Sequence, residues 1–264
     1  MDREKYGPWA VVAGGSEGVG SELAGMLARE GFNLVLLARK TGPLEETAER
    51  ARGAGVEVRT LALDLTAPDM LRRLTRTTDD IEVGLLIYNA GANHYGAPFV
   101  EGDLESFQTV VTLNTTARLA LCHHFGGRMR ERGRGGILLF GSFATYNGSP
   151  FISVYNASKA FSRIFAEGLW YELAPYGVDV VEFVIGAMRT PAMKARGMKF
   201  GPGTAEPEDI AREALAHISD GPVYNSEIGG GLETAKALSA WPRGPVVQAA
   251  GESLKQLGLY GLDE

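Results

Sequence analysis

The chain has 264 residues, of which 45% are hydrophobic and 22% charged, as is usual for a soluble globular protein. A net charge of −6 without any basic block argues against general nucleic-acid binding, and a single cysteine, Cys122, excludes an intrachain disulfide. The first residues lack the apolar core of a signal peptide, and no apolar run approaches the ~20 residues that span a bilayer. We therefore expect a soluble, cytoplasmic protein without a membrane span.

Short apolar runs alternate along the chain with longer amphipathic stretches. The runs are typical of strands covered on both faces, and they predict strands at 9–14, 33–39, 56–63, 83–89, 136–142 and 178–186. The amphipathic stretches predict helices at 18–31, 42–53, 67–77, 104–131 and 153–175. This alternation predicts an α/β fold, a parallel sheet with helices on both faces. Because no linker or repeat divides the chain, we expect residues 1–264 to form a single domain.

A glycine-rich segment, AGGSEGVG at 13–20, follows the first predicted strand directly and opens a helix. Gly14 permits a tight exit from the strand, Gly18 lets a pyrophosphate approach the backbone, and Gly20 lets the helix pack closely on the sheet. The helix N-terminus adds free N–H groups and the positive end of a dipole. The segment therefore predicts a dinucleotide site, with a plain glycine-rich turn as the alternative.

The end of the second predicted strand bears on the choice of cofactor. NAD-binding units usually have an Asp or Glu there for the ribose 2′-hydroxyl, whereas this chain has Ala38, Arg39 and Lys40. A guanidinium suits a 2′-phosphate, so the segment favours NADP(H), with a solvated strand end as the alternative. Glu17 is a counter-argument, since it would lie near the same phosphate.

The C-terminal third has more glycine and proline. Residues 187–207 form a long excursion, which we predict to be a substrate lid. A helix with proline at its start is predicted at 207–218, and the tail at 222–264 shows no clear pattern. The four histidines lack ligand spacing, so no metal is expected.

Tyr155 and Lys159 lie four residues apart on the predicted helix 153–175 and so share one face. A phenol has a pKa of ~10, and bringing it near 7 requires about 4 kcal/mol. One cation at ~4 Å and an effective dielectric constant of ~20 supplies about that much before desolvation. The pair is therefore suited to general acid–base chemistry near neutral pH.

Together these motifs resemble the short-chain dehydrogenase/reductases from residue 9 to about 220. AGGSEGVG is similar to the family's TGxxxGxG, YNAG at 88–91 to its NNAG, and YNASK at 155–159 to its YxxxK. Ser142 stands at the family's interval of thirteen residues before Tyr155, and Asn114 stands at the place of its helical asparagine.

The sequence departs from the family at three positions. Ala13 replaces the threonine of the first motif, Tyr88 replaces the first asparagine of the second, and Ile185 replaces the proline of PGxxxT. The C-terminal Gly-Gly segment, which helps to form tetramers in many members, is matched only loosely. The resemblance therefore implies a homodimer or a homotetramer without deciding between them.

The resemblance implies a Rossmann-type doubly wound sheet with strand order 3-2-1-4-5-6-7, and NADPH-dependent reduction of a carbonyl or oxidation of the corresponding secondary alcohol. Tyr155 would be the general acid and base, and Lys159 would lower its pKa and hold the nicotinamide ribose. Ser142 would polarise the carbonyl, and Asn114 would orient a water in a proton relay. Two alternatives remain, a non-catalytic NADP(H)-binding regulatory protein and an S-adenosylmethionine-dependent methyltransferase.

The remaining candidates fall into two groups. The residues expected to bind the cofactor are Gly14, Ser16, Glu17, Gly18, Val19, Arg39, Lys40, Asp64, Leu65, Asn89, Ala90, Gly91, Tyr155, Lys159, Gly186 and Thr190. The residues expected to contact substrate are Tyr95, Phe143, Tyr146 and Met188, with Phe151, Met193 and Met198 as further candidates. The second group is apolar and adaptable, which indicates a hydrophobic small-molecule substrate.

Overall fold

The computed structural model describes residues 1–91, 93–195, 197–201 and 204–257. Seven parallel strands form one sheet in the order β3-β2-β1-β4-β5-β6-β7. The strands are β1 (Trp9–Ala13), β2 (Asn33–Ala38), β3 (Val58–Ala62), β4 (Val83–Tyr88), β5 (Gly135–Phe140), β6 (Val178–Val184) and β7 (Val223–Asn225). The predicted fold class and strand order are confirmed.

The helices lie where the amphipathic stretches predicted them, with additions at both ends of the chain. They are α1 (Arg3–Tyr6), α2 (Gly18–Arg29), α3 (Thr41–Arg52), α4 (Met70–Thr78), α5 (Leu104–Val111), α6 (Ala117–Arg132), α7 (Ser153–Leu173), α8 (Pro191–Ala195), α9 (Pro207–Ala216), α10 (Gly231–Ala240) and α11 (Arg243–Gln256). Along the described part of the chain, none of these helices has the length and apolar character needed to cross a bilayer.

The helix predicted at 104–131 is present, but it is not α-helical throughout. A π-helical segment, Thr112–Thr116, lies between α5 and α6. A π turn adds a residue to the helical repeat and turns the following side chains, and such segments are frequent at functional sites. This one contains Asn114.

Two apolar layers cover the two faces of the sheet. Val12 of β1 belongs to the layer that includes α2, α3 and α9, whereas its neighbour Val11 belongs to the layer that includes α4, α6 and α7. Successive side chains of a strand point to opposite faces, and here both faces are buried. This explains why the strands show no alternation of apolar and polar residues.

The predicted lid contains little regular structure in its described part. It contains α8 and an isolated bridge between Met188 and Ala205, while residues 196, 202 and 203 lie outside the described residues. The tail at 222–264 supplies β7, α10 and α11, and its residues 258–264 also lie outside. That residues 1–264 form one domain stays a prediction.

Candidate active site

A crevice lies at the carboxyl ends of the strands. The strand order reverses between β1 and β4, and in open parallel sheets such a switch point is where ligands bind. Two cavities meet there, and both are lined by Glu17, Gly91 and Ala192. The crevice therefore has two connected halves, one over β1 and β2 and one over β5 and β6.

The glycine-rich turn forms the floor between the two halves. Gly14 adopts a φ of +87°, and a Cβ on Gly20 would lie 1.9 Å from the carbonyl oxygen of Gly14. Asn89 donates from Nδ2 to that same oxygen at 3.0 Å. The residue that precedes α2, Glu17, makes no side-chain cap, so the first turn of α2 keeps its N–H groups open to a phosphate.

The half over β1 and β2 brings most of the predicted cofactor residues together. Its lining includes Gly14, Ser16, Glu17, Arg39, Lys40, Asp64, Leu65, Ala90 and Gly91. Lys40 Nζ lies 3.4 Å from Glu17 Oε2. The negative charge of Glu17, which would repel a 2′-phosphate, therefore already has a cationic partner.

Asp64 lies at the edge of this half, and its surroundings stabilise the ionised carboxylate. Partial burial disfavours the charge, but the amide and hydroxyl of Thr66 donate to Asp64 Oδ1 at 2.9 and 2.8 Å. These bonds, with Arg39 and His94 nearby, hold the pKa of the carboxyl below its usual value.

The half over β5 and β6 brings Ser142, Tyr155 and Lys159 together. Ser142 follows β5, and its Oγ accepts a hydrogen bond from the amide of Ala144 at 3.2 Å. Lys159 is buried, donates from Nζ to the carbonyl oxygen of Phe140 at 3.0 Å, and places Nζ 5.6 Å from the ring centroid of Tyr155. The lysine and the tyrosine therefore face one crevice from adjacent turns of α7.

Asn114 lies beside this group. Its Nδ2 donates to the carbonyl oxygen of Val110 at 2.9 Å, while its buried Oδ1 has no hydrogen-bond partner among the described residues. A Cβ on Gly91 would lie 2.6 Å from that Oδ1 and 3.5 Å from Lys159 Nζ. Buried acceptors without a protein partner commonly bind an ordered water.

The charge on Lys159 is strongly affected by its surroundings. Burial, and then the nearby Arg118, lower the pKa of Lys159 to about 7, while Glu182 acts in the opposite direction. Sequence reasoning missed Arg118 and Glu182. The sequence did contain a signal for a buried ion pair. Glu182 stands in an apolar strand covered on both faces, where an unpaired carboxylate is very unfavourable, so a buried cationic partner is expected.

The predicted substrate residues divide into two groups. Met188 lines the half over β5 and β6, together with Met193, Met198, Gly186 and Thr190. Tyr95, Phe143, Tyr146 and Phe151 are absent from the lining of both halves. Residues of this wall that sequence reasoning missed are Phe140, Gly141, Ile185, Ala187, Pro191 and Ala192.

The aromatic side chains outside the crevice have other partners. The hydroxyl of Tyr95 accepts from the amide of Asp103 at 2.7 Å, and its ring packs on Phe107. The hydroxyl of Tyr146 donates to Asn225 Oδ1 at 2.8 Å. Tyr95 and Tyr146 therefore hold loops around the crevice in place and do not line it.

Fold and crevice together define a Rossmann-type α/β protein. The model of the family described as short chain dehydrogenase matches residues 8–199, and the chain belongs to this family. Its members are oxidoreductases that act on CH–OH and C=O groups with a nicotinamide cofactor.

Two curated relatives illustrate the similarity. The chain is 36% identical over 221 residues to a very-long-chain 3-oxoacyl-CoA reductase of Podospora anserina, with 81% of this chain and 64% of that protein covered. It thus spans less than two thirds of that relative's length. It is 32% identical over 220 residues to a 7β-hydroxysteroid dehydrogenase of Clostridium sardiniense, with 82% and 84% covered.

Solved structures of similar proteins contain both nicotinamide dinucleotides. A short-chain dehydrogenase from Sphingobium yanoikuyae in complex with NADPH is 34% identical, with a TM-score of 0.74 and coverage of 80% of this chain and 84% of that one. A 7α-hydroxysteroid dehydrogenase complexed with NADH has a TM-score of 0.76, with 86% and 94% covered. At 23% identity, the second shows likeness of fold alone.

Proposed function

We propose that the protein is an NADP(H)-dependent oxidoreductase that reduces a carbonyl group on a hydrophobic substrate, or oxidises the corresponding secondary alcohol. The observation that carries the proposal is the meeting of Tyr155, Lys159 and Ser142 in one crevice wall at the switch point of the sheet. The preference for NADP(H) and the role of each residue are parts of this proposal.

The residues of the crevice fit a dinucleotide. Gly20 leaves no room for a Cβ, and the open first turn of α2 suits the pyrophosphate. Arg39 would hold the 2′-phosphate, because Lys40 is already paired with Glu17. Lys159 would hold the nicotinamide ribose, and Gly186 and Thr190 would contact the nicotinamide amide. When bound, the cofactor supplies or accepts the hydride.

Side chains of the protein itself transfer the proton and stabilise the developing charge. Tyr155 donates its phenolic proton to the carbonyl oxygen of the substrate. Ser142 Oγ accepts from Ala144 N, which leaves its own hydrogen free to donate to the same carbonyl oxygen as negative charge develops. The Lys159 ammonium favours the resulting phenolate, and Asn114 Oδ1 would hold the water through which the proton is replaced.

The wall over β5 and β6 suits a large apolar substrate. Met188, Met193 and Met198 line it together with Ile185, and unbranched methionine side chains adapt to irregular apolar surfaces. The relatives named for a very-long-chain acyl-CoA and for a hydroxysteroid support the same class of substrate. We therefore propose a ketone on an extended apolar skeleton.

The test is turnover of purified protein with NADPH and a panel containing an oxosteroid, a long-chain 3-oxoacyl thioester and a polar keto sugar. We expect oxidation of NADPH with the first two, loss of turnover in Tyr155→Phe, and unchanged NADPH affinity in that variant. Tyr171→Phe is a matched control, since Tyr171 lies on the same helix and is 76% exposed. NADPH binding without turnover of any carbonyl would instead favour the non-catalytic regulatory protein.

A further inference from the structure

A fully buried ion pair lies behind Lys159. The side chains of Arg118 on α6 and Glu182 on β6 are 0% exposed, and Arg118 Nη1 lies 3.0 Å from Glu182 Oε2. Ser162, one turn beyond Lys159 on α7, lies with Oγ 2.8 Å from each carboxylate oxygen and also contacts Arg118. Apolar residues of similar volume often stabilise a core as well as or better than such a pair, so stability alone gives no reason for it.

One backbone carbonyl connects the pair to Lys159. The carbonyl oxygen of Phe140, at the end of β5, accepts from Lys159 Nζ at 3.0 Å and from Arg118 Nη2 at 3.0 Å. The two cations therefore share a single acceptor. In a dry interior this arrangement makes the charge of each strongly sensitive to the other.

The backbone beside the crevice leaves room for the carboxylate. A Cβ on Gly141 would lie 2.6 Å from Glu182 Oε1, so a larger residue would displace the carboxylate. Gly141 also lines the half of the crevice over β5 and β6. The buried carboxylate thus lies directly behind the wall that holds Tyr155 and Lys159.

The other titratable groups near this network stay neutral or are paired elsewhere. The ring centroid of Tyr88 on β4 lies 5.0 Å from the guanidinium carbon of Arg118, and Cys122 lies one turn beyond Arg118 on α6. Burial raises the pKa of the Tyr88 phenol and raises that of the Cys122 thiol to about 12. Glu17, which faces the crevice from the turn before α2, pairs with Lys40.

We propose that Arg118 and Glu182 are positioning residues that hold the Phe140 carbonyl against Lys159 and set how strongly its ammonium acidifies the Tyr155 phenol. The inference rests on the proposed function, which gives Tyr155 its role. The two charges act in opposite directions. Removing the Arg118 cation keeps Lys159 protonated to higher pH, and removing the Glu182 charge does the reverse. We expect ionisation of the Tyr155 phenol to follow the charge of Lys159.

The first test is the pH dependence of kcat/KM for alcohol oxidation, which rises as the phenol ionises. Glu182→Gln keeps the shape and the hydrogen-bonding oxygen but removes the charge. We expect it to move the rising limb of the pH profile of kcat/KM to higher pH by about one unit. Arg118→Met is expected to move the limb to lower pH by about one unit. Shifts in the same direction, or no shift in either variant, would overturn the inference.

A double variant provides a second test in case the single variants do not fold. Arg118→Met with Glu182→Leu removes both buried charges together, a change that cores often tolerate. Because the two charges act on Lys159 in opposite directions, the double variant should have a pH profile between those of the two single variants. A folded double variant whose profile lies outside that range would count against the inference.

The second test needs no turnover. The ultraviolet difference spectrum between each protein and its Tyr155→Phe counterpart reports ionisation of that phenol alone. We expect its midpoint to rise in Glu182→Gln and fall in Arg118→Met, even if the wild-type protein reduces no ketone in the panel. Identical midpoints in an enzyme that does reduce ketones would defeat this inference and leave the proposed function standing.

Discussion

Arg39 and Lys40 are adjacent at the end of β2, but their surroundings differ. Lys40 is 70% exposed and lies 3.4 Å from Glu17 Oε2, whereas Arg39 lies close enough to Asp64 to lower the pKa of that carboxyl. A guanidinium also offers two parallel donors to a phosphate, which an ammonium does not. Cofactor preference should therefore depend on Arg39 more than on Lys40.

Arg39→Asp is expected to raise the KM for NADPH at least tenfold, about 1.4 kcal/mol, because a carboxylate repels the 2′-phosphate. The same change should leave the KM for NADH unchanged or lower it. Steady-state kinetics with both cofactors measures the effect, and Lys40→Ala serves as the matched control with a smaller change. Equal effects of Arg39→Asp on the two cofactors would argue against a 2′-phosphate site at Arg39.

Gly20→Ala is expected to abolish NADPH binding and lower the melting temperature. The new Cβ would lie 1.9 Å from the carbonyl oxygen of Gly14, so the turn and the start of α2 must separate. Gly25→Ala is the control on the same helix, because the nearest atom to its Cβ is the end of the Arg29 side chain at 3.5 Å. That change should stabilise the helix by about 0.5–1 kcal/mol. Equal NADPH affinity in both variants would contradict this account.

Single residues were predictable where a motif fixes their spacing. Tyr155 and Lys159 share a helix face because they lie four residues apart. Ser142 was identified because it lies thirteen residues before Tyr155, the interval found in the family. The partnership of Arg118 with Glu182 joins positions 64 residues apart, and no local pattern encodes it. Tyr95 and Tyr146 are loop aromatics whose direction depends on partners such as Asp103 and Asn225, which the sequence does not pair with them.

At the scale of elements, the predicted lid packs against α11 through a small apolar cluster. Met198 of the lid and Leu254 of α11 are 8% and 9% exposed and form one apolar cluster with Ile152. Tyr155 packs against that cluster, and the amide of Lys199 donates to the carbonyl oxygen of Leu257 at 3.2 Å. The tail thus contacts the predicted lid beside Tyr155.

Leu254→Ala is expected to raise the KM for a bulky apolar ketone about 3- to 10-fold, with little change for a small ketone, because the lid loses a packing partner. Leu232→Ala on α10 is the control, since Leu232 is 52% exposed. The measurement is the pair of KM values in each variant. A uniform change for both ketones would show that the cluster does not shape the substrate pocket.

Long periodic elements were predictable, and irregular ones were not. The run at 178–186 predicted β6 because it is mostly apolar and rich in valine, and six of the seven positions of β6 are buried. β7 has only three half-buried residues, too few for a pattern, and it forms because its backbone pairs with β6. The π segment at Thr112–Thr116 lies inside one continuous helical stretch, and the apolar pattern of the sequence did not distinguish it from α-helix.

At the scale of the whole molecule, α5 and α7 present apolar side chains to the outside. Leu104, Phe161 and Ile164 are 62%, 42% and 57% exposed. Exposed apolar side chains on these two helices suit pairing with a second copy of the chain, and the resemblance to the family implied a homo-oligomer. We keep a homodimer or homotetramer as a proposal.

Ile164→Arg is expected to reduce the sedimenting mass toward that of one chain, 28.2 kDa, because a charge cannot be buried unpaired between two helices. Arg212→Glu on α9, another exposed position, is the control and should leave the mass unchanged. Sedimentation equilibrium provides the measurement. A wild-type protein that sediments as a single chain at all concentrations would refute the proposed assembly.

The most direct measurement is the pH dependence of alcohol oxidation in wild-type protein and in Lys159→Met. The account predicts a wild-type limb near neutral pH. Without the ammonium the phenol should ionise closer to its free pKa of ~10, so the limb should rise by more than one pH unit in the variant. The same limb in both proteins would mean that Lys159 does not acidify Tyr155, and the proposed mechanism would be wrong.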